Sequence, residues 1–125
     1  MLNWTSAAAA ALALAVMLGA FGAHGLRDRL DAYSLGVYEK AVFYHFIHAL
    51  GLLIVSVLPR LNALPESAAH RVCALLLAGI LLFSGSLYVL AISGLKILGA
   101  ITPFGGLAFI AAWLLLAWSA ARAAR

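Results

Sequence analysis

Four long apolar runs dominate the chain, with the charged residues in or next to the short gaps between them or at the C-terminal end. They cover about residues 4–23, 38–58, 68–92 and 103–121. Each is close to or above the ~20 residues a helix needs to cross a bilayer. The gaps at 25–37, 59–67 and 93–102 are short, which makes consecutive helices antiparallel neighbours. The pattern predicts an all-α fold: one domain over residues 1–125, an integral membrane bundle of four antiparallel transmembrane helices.

The ends of the runs carry stop and start chemistry. Pro59 should end the second helix, because proline lacks the backbone donor and clashes with the preceding turn. Pro65-Glu66 suits the first turn of the third, where a missing N–H costs nothing and an anion meets the helix dipole. Ser93-Gly94 should close the third. Thr102-Pro103 reads as a helix start, with Thr102 as N-cap and Pro103 at the first position. In the first gap Leu26, Leu30, Tyr33 and Val37 recur at helical spacing opposite Arg27, Asp28, Arg29 and Asp31. That spacing predicts a short amphipathic segment lying at the membrane surface. Ala20-Phe-Gly22 loosely imitates a signal-peptidase site, but no basic region precedes the first run, so an uncleaved span is expected.

Small residues at Ala7, Ala11, Ala15, Gly19 and Ala23 form an unbroken stripe at spacing four. In lipid such a stripe lets another backbone approach closely, since packing replaces the hydrophobic effect as the force between helices. It should be the tightest contact of the first helix.

Composition sharpens the picture. Of 125 residues 66% are hydrophobic and 10% charged, and the mean hydropathy is +1.10. A soluble domain of this size has no interior large enough for so much apolar surface. The net charge of +4 is scattered over the gaps rather than gathered into a patch, which excludes nucleic acid as a partner. Arg60, Arg71, Arg122 and Arg125 fall on the side of the termini; Arg27, Arg29, Lys40 and Lys96 fall opposite. The tie leaves orientation to the free N-terminal amine, which favours both termini in the cytoplasm of a bacterial inner (plasma) membrane. Cys73 is the only cysteine, so no internal disulfide or CxxC pair exists.

Antiparallel threading brings the polar residues of the spans into one half of the bilayer, on the side of the first gap. His24, Glu39, Tyr44, His45, His48, Ser84, Ser86, Tyr88 and Thr102 all belong there. Buried polar groups in a membrane face the bundle interior or a wet cavity. His24, Tyr44, His48, Ser84 and Tyr88 are therefore expected to point inward. Several chemistries suit them. A histidine trio of His24, His45 and His48 would ligate a metal or haem, but no carboxylate joins it at ligand spacing, so no metal and no cofactor is expected. His48, Tyr44 and Glu39 would serve a proton-coupled or small-solute pathway. The amides of Phe104, Gly105 and Gly106 at a helix start, with Arg27, Arg29 and Lys96 at the same level, would hold an anionic lipid head group. Interhelical hydrogen bonding alone would also place these groups inside.

Gly19-Ala-Phe-Gly-Ala-His-Gly25, Tyr44 to Leu50, Leu82 to Tyr88 and Thr102-Pro-Phe-Gly-Gly106 resemble, in order and over nearly the whole chain, the YgdD/YwdK family. These are small four-span membrane proteins of unknown function. The resemblance implies the membrane location and the fold. Its pattern picks out Gly19, Gly22, His24, Tyr44, His48, Ser84, Gly85, Ser86, Tyr88, Thr102, Pro103, Gly105 and Gly106; His45 is not part of it. It implies no activity, substrate or cofactor.

The function expected from the residues is a membrane binding module for an anionic lipid head group or small solute. The candidate ligand-binding residues are His24, Arg27, Tyr44, His48, Ser84, Ser86, Tyr88, Thr102, Gly105 and Gly106. A small transporter or proton-coupled subunit and a structural partner of a larger complex are the alternatives. Membrane lipid is the expected partner, together with a homo-oligomer or larger membrane complex. No nucleophile–base–orienter set is present, so no enzymatic activity and no catalytic residue is expected.

Overall fold

The structure, a computed structural model, describes residues 3–125. Four helical stretches, Trp4–Leu26, Ala32–Leu61, Glu66–Ser93 and Lys96–Ala123, are long and apolar enough to span a bilayer. Five α-helices lie within them: α1 (Trp4–Phe21), α2 (Ala32–Val57), α3 (Glu66–Gly79), α4 (Gly85–Ser93) and α5 (Thr102–Ala123). The first and third stretches contain π-helical turns, at Gly22–Leu26 and Ile80–Ser84, and 3-10 turns occupy Leu58–Leu61 and Lys96–Ala100. The chain is a four-span all-α membrane bundle.

Local chemistry explains the ends. The Asn3 side chain accepts from the Ser6 amide and caps α1. Asp31 caps α2 by accepting from the Ser34 amide at 2.7 Å, and that bond holds its carboxyl below the ordinary value of 3.8. After α2, Pro59 sits inside a tight 3-10 turn that Asn62 ends in the left-handed conformation, φ 55°. Pro65 precedes α3 in extended conformation. Gly94, at φ 72°, closes α4.

Two expectations about the gaps are corrected. The segment after the first span is no separate surface helix: residues 27–30 make a turn, and α2 begins at Ala32, so Val37 is already part of the second span. Asp31 is the reason, since its cap starts the helix early and the apolar run simply continues. Thr102 does not cap α5. Ile101 holds that position in helical conformation, and the 3-10 turn Lys96–Ala100 runs almost directly into the helix.

α1 packs chiefly on α2, and α5 on α3. The main core is apolar and lies toward the termini: Leu52, Val55, Val72, Cys73, Leu76 and Ala112 are essentially inaccessible. The first-helix stripe is half right. Ala15 is buried, whereas Ala23 is exposed. The closest approach falls at Gly22, where a Cβ would lie 2.9 Å from Tyr38 Cδ1, while at Gly19 it would meet Val42 at an ordinary 3.4 Å. The Tyr38 ring fills the space at Gly22, and its hydroxyl donates to the Leu18 carbonyl. Leu18 also receives the Gly22 amide, which it shares with Gly19. The π-turn Gly22–Leu26 follows directly on this contact.

On the termini side, Trp4 Nε1 donates to His70 Nδ1 at 3.0 Å and Thr5 bonds Ser56 at 3.0 Å. The Arg122 guanidinium lies 4.7 Å from the Trp118 ring centre.

Candidate functional site

Residues 41–59 contain no Asp, Glu, Lys or Arg. At ~1.5 Å per residue that run measures about 28 Å, close to the hydrocarbon thickness. Lys40 therefore marks one boundary of the hydrocarbon, and His45 and His48 lie about 8 and 12 Å below it. Both are buried, at 2% and 6% exposure.

His45 is tied to the third span. Its Nδ1 lies 2.8 Å from the Tyr88 hydroxyl, and Tyr88 meets Tyr38 edge to face at 5.2 Å. One turn away on α2, the Ala41 carbonyl accepts from Ser84 Oγ at 2.8 Å. His45 Nε2 is buried and has no hydrogen-bond partner. The Ala11 carbonyl of α1 approaches the ring without meeting hydrogen-bond geometry. The chemistry leaves two arrangements. If Tyr88 donates to Nδ1, Nε2 carries a proton with no acceptor in hydrogen-bond geometry. If Nδ1 donates to Tyr88, Nε2 is a bare acceptor and the Tyr88 proton is unspent. In either arrangement the pair retains unused hydrogen-bonding capacity.

His48 is different. A carbonyl only accepts, so the 2.8 Å contact with the Tyr44 carbonyl fixes a proton on Nδ1. Its ring stacks on Phe109 with centroids 3.5 Å apart, and Trp113 lies 5.8 Å away. Glycines make room for these rings. A Cβ at Gly51 would come within 2.6 Å of Trp113, and one at Gly79 would strike Phe109. His48 is thus a packed member of the α2–α3–α5 junction.

The candidate ligand-binding residues divide. His48, Ser84 and Ser86 are buried and Tyr88 is half-buried. His24 and Arg27 are exposed at the end of the first span, and Tyr44 is 37% exposed, with its ring against Phe83. The expectation that His24 and Tyr44 point inward is therefore corrected: α2 turns Tyr38, Ala41, His45 and Ala49 toward the interior, and Tyr44 falls beside that face. Ser86 and Thr102 join the third and fourth spans at 2.7 Å, with Ser86 also on the Phe83 carbonyl and Thr102 on the Leu98 carbonyl. Two hydroxyl protons serve these three contacts, so one hydroxyl donates across to the other while the second keeps its own helix carbonyl.

The open helix start at Gly105 and Gly106 is corrected as well. A Cβ at Gly105 would lie 2.7 Å from Phe83 Cα and closer still to its amide nitrogen. Gly105 is buried against the backbone of the third span, which leaves no approach for a head group there. Gly106 has only the Phe83 ring near it, at 3.8 Å. Among the described residues no three His, Cys, Asp or Glu side chains converge as a metal site would need.

The pattern of the sequence gives His45 little prominence. Its signal is faint but present: Tyr38, Ala41, His45 and Ala49 recur at spacings of three and four, which puts them on one face of α2. The π-turns have no signal in the sequence.

Comparison with known proteins agrees with the architecture. The family described as protein of unknown function (DUF423) matches residues 18–106. A UPF0382 membrane protein of Staphylococcus haemolyticus is 48% identical over 103 residues, 82% of each chain. The UPF0382 membrane protein YwdK of Bacillus subtilis is 46% identical over 110 residues, covering 87% of this chain and 88% of its own. No solved structure matches. With that identity over most of both chains and a bundle of four membrane-spanning helices, the chain belongs to the DUF423 family of UPF0382 membrane proteins.

Proposed function

We propose that the chain is a membrane binding module that holds a small neutral hydrogen-bonding guest, water or a solute of similar size, against His45 and Tyr88. The observation that carries this reading is the buried, unpartnered Nε2 of His45. Leaving such a group unpaired costs about 1–3 kcal/mol, and a guest with both a donor and an acceptor satisfies either tautomer. The anionic head group is the weaker occupant, because Gly105 is packed against the Phe83 backbone and leaves no open approach on that side.

Transport is the weaker alternative. Toward the termini the interior is closed by Leu52, Val55, Val72 and Leu76, so a guest enters and leaves by one side. The bacterial plasma membrane with cytoplasmic termini is the location that goes with this reading. It places the guest site in the outer half of the bilayer. Reporter fusions at Arg125, one active only in the cytoplasm and one only outside, test that orientation; an externally active fusion contradicts it.

The guest itself is tested by water-edited solid-state NMR of the chain in bilayers. Magnetisation should pass from water to His45 and Tyr88 quickly and to Leu52, Val55 and Leu76 slowly. His45 as dry as Leu52 removes water as the guest and leaves the reading without its simplest occupant.

A further inference from the structure

A cleft of about 150 Å³ opens between α1 and α2, lined by Gly19, Gly22, Ala23, Tyr38, Glu39 and Val42. Its α2 lining, Tyr38 to Val42, lies nearer the surface than His45, and His45 is not among its lining residues. Its wall on α1 is glycine and alanine, so a guest reaches close to backbone. Glu39 is its only formal charge and is exposed. The residue after it, Lys40, is the last charge before the uncharged run 41–59. The carboxylate therefore stands where hydrocarbon gives way to head groups, and Val42 continues the cleft downward into the hydrocarbon.

A carboxylate at the head-group boundary is a ready partner for a cation that reaches it. The bilayer supplies one in a phospholipid whose head group ends in a primary ammonium. We infer that the α1–α2 cleft seats such an aminophospholipid, its ammonium on Glu39 and one acyl chain along Val42 and Gly19. Charge complementarity selects this lipid over others. A primary ammonium donates hydrogen bonds to a carboxylate, whereas a trimethylammonium has no proton to donate and an anionic head group is repelled. The lipid phosphate then falls on the membrane face that carries Arg27, Arg29 and Lys40, all exposed.

The test is native mass spectrometry of the full chain from mild detergent containing equal amounts of dioleoyl phosphatidylethanolamine, phosphatidylcholine and phosphatidylglycerol. A partly exposed ammonium–carboxylate pair corresponds to roughly a two- to five-fold affinity difference. Wild type should retain the ethanolamine lipid over the choline lipid by that factor, and Glu39→Gln should abolish the preference. Lys40→Gln should keep the ethanolamine-over-choline preference. Circular dichroism of both variants checks that the helices remain, as expected for exposed positions. Equal retention of ethanolamine and choline lipids by wild type overturns the inference. So does a preference that survives Glu39→Gln, or glycerol lipid retained above ethanolamine lipid.

Discussion

Gly105 and Gly106 are neighbours in sequence with opposite surroundings, and replacing each by alanine separates helix packing from ligand binding at the start of α5. At Gly105 the new methyl would stand 2.7 Å from both Phe83 Cα and Cβ. Carbon atoms prefer about 3.5–4.0 Å, so the shortfall is about 1 Å. Two of the obstructing atoms are backbone, which no rotamer change can move. The third and fourth spans must part, at a cost of about 2–3 kcal/mol for overpacking. Alanine recovers up to about 1 kcal/mol of helix propensity, which leaves a net loss of about 1–2 kcal/mol. At Gly106 the methyl meets only the Phe83 ring at 3.8 Å, an ordinary contact. Gly106→Ala should therefore be neutral or stabilise by up to about 1 kcal/mol. The two variants should differ by about 2–3 kcal/mol in denaturant unfolding from detergent micelles, followed by far-ultraviolet circular dichroism. Equal stabilities, or the greater loss at Gly106, would refute the packing assigned to Phe83.

Tyr88→Phe should destabilise the bundle by about 1–3 kcal/mol, because it strands a second buried nitrogen of His45. His45→Phe should cost less, since the hydroxyl it leaves without a partner belongs to the half-buried Tyr88 rather than to a buried ring; a loss larger than that of Tyr88→Phe contradicts the pairing. Trp4 Nε1 donates to His70 Nδ1 across the first and third spans, so Trp4 fluorescence, read with Trp113 and Trp118 replaced by phenylalanine, should shift in His70→Leu; an unchanged spectrum contradicts the bond. Asp31 has its folded value lowered by the Ser34 amide. Its contribution to stability is therefore complete above the ordinary value of 3.8 and is lost as pH falls through the lower folded value. Asp31→Asn should flatten that part of the stability profile, and an unchanged profile would show that the cap carries no charge effect.

The spans are legible because each is an unbroken apolar run with proline, glycine or charge at its limits, and Pro59, Pro65 and Gly94 stand where helices end or begin. Which face of each helix turns inward is much less legible. In lipid both faces are apolar, so the polar–apolar stripe that orients a soluble helix is missing. Depth puts Tyr44 and His45 at the same level and only the family pattern favours Tyr44; the structure buries His45 and leaves Tyr44 37% exposed. The π-turns at Gly22–Leu26 and Ile80–Ser84 shift the helical register of the residues beyond them, which no 3.6-residue period anticipates. His24 lies within the first such turn and is left outside the bundle. The glycines of the fourth span read as an opening for a ligand because sequence shows the missing side chain and not the neighbour that fills its place. Phe83 is that neighbour, and it comes from the third span.

Central to the proposed function is a histidine whose second nitrogen is buried and available to a guest. Nitrogen-15 NMR of the histidine-labelled chain in lipid nanodiscs, with His45 assigned by its loss in His45→Phe, reads both ring nitrogens directly. The expected result is Nδ1 coupled to the Tyr88 hydroxyl and an Nε2 shifted by a hydrogen bond to a guest that exchanges with the medium. An Nε2 with the shift of an unbonded nitrogen, or one bonded permanently to the Ala11 carbonyl, would contradict it.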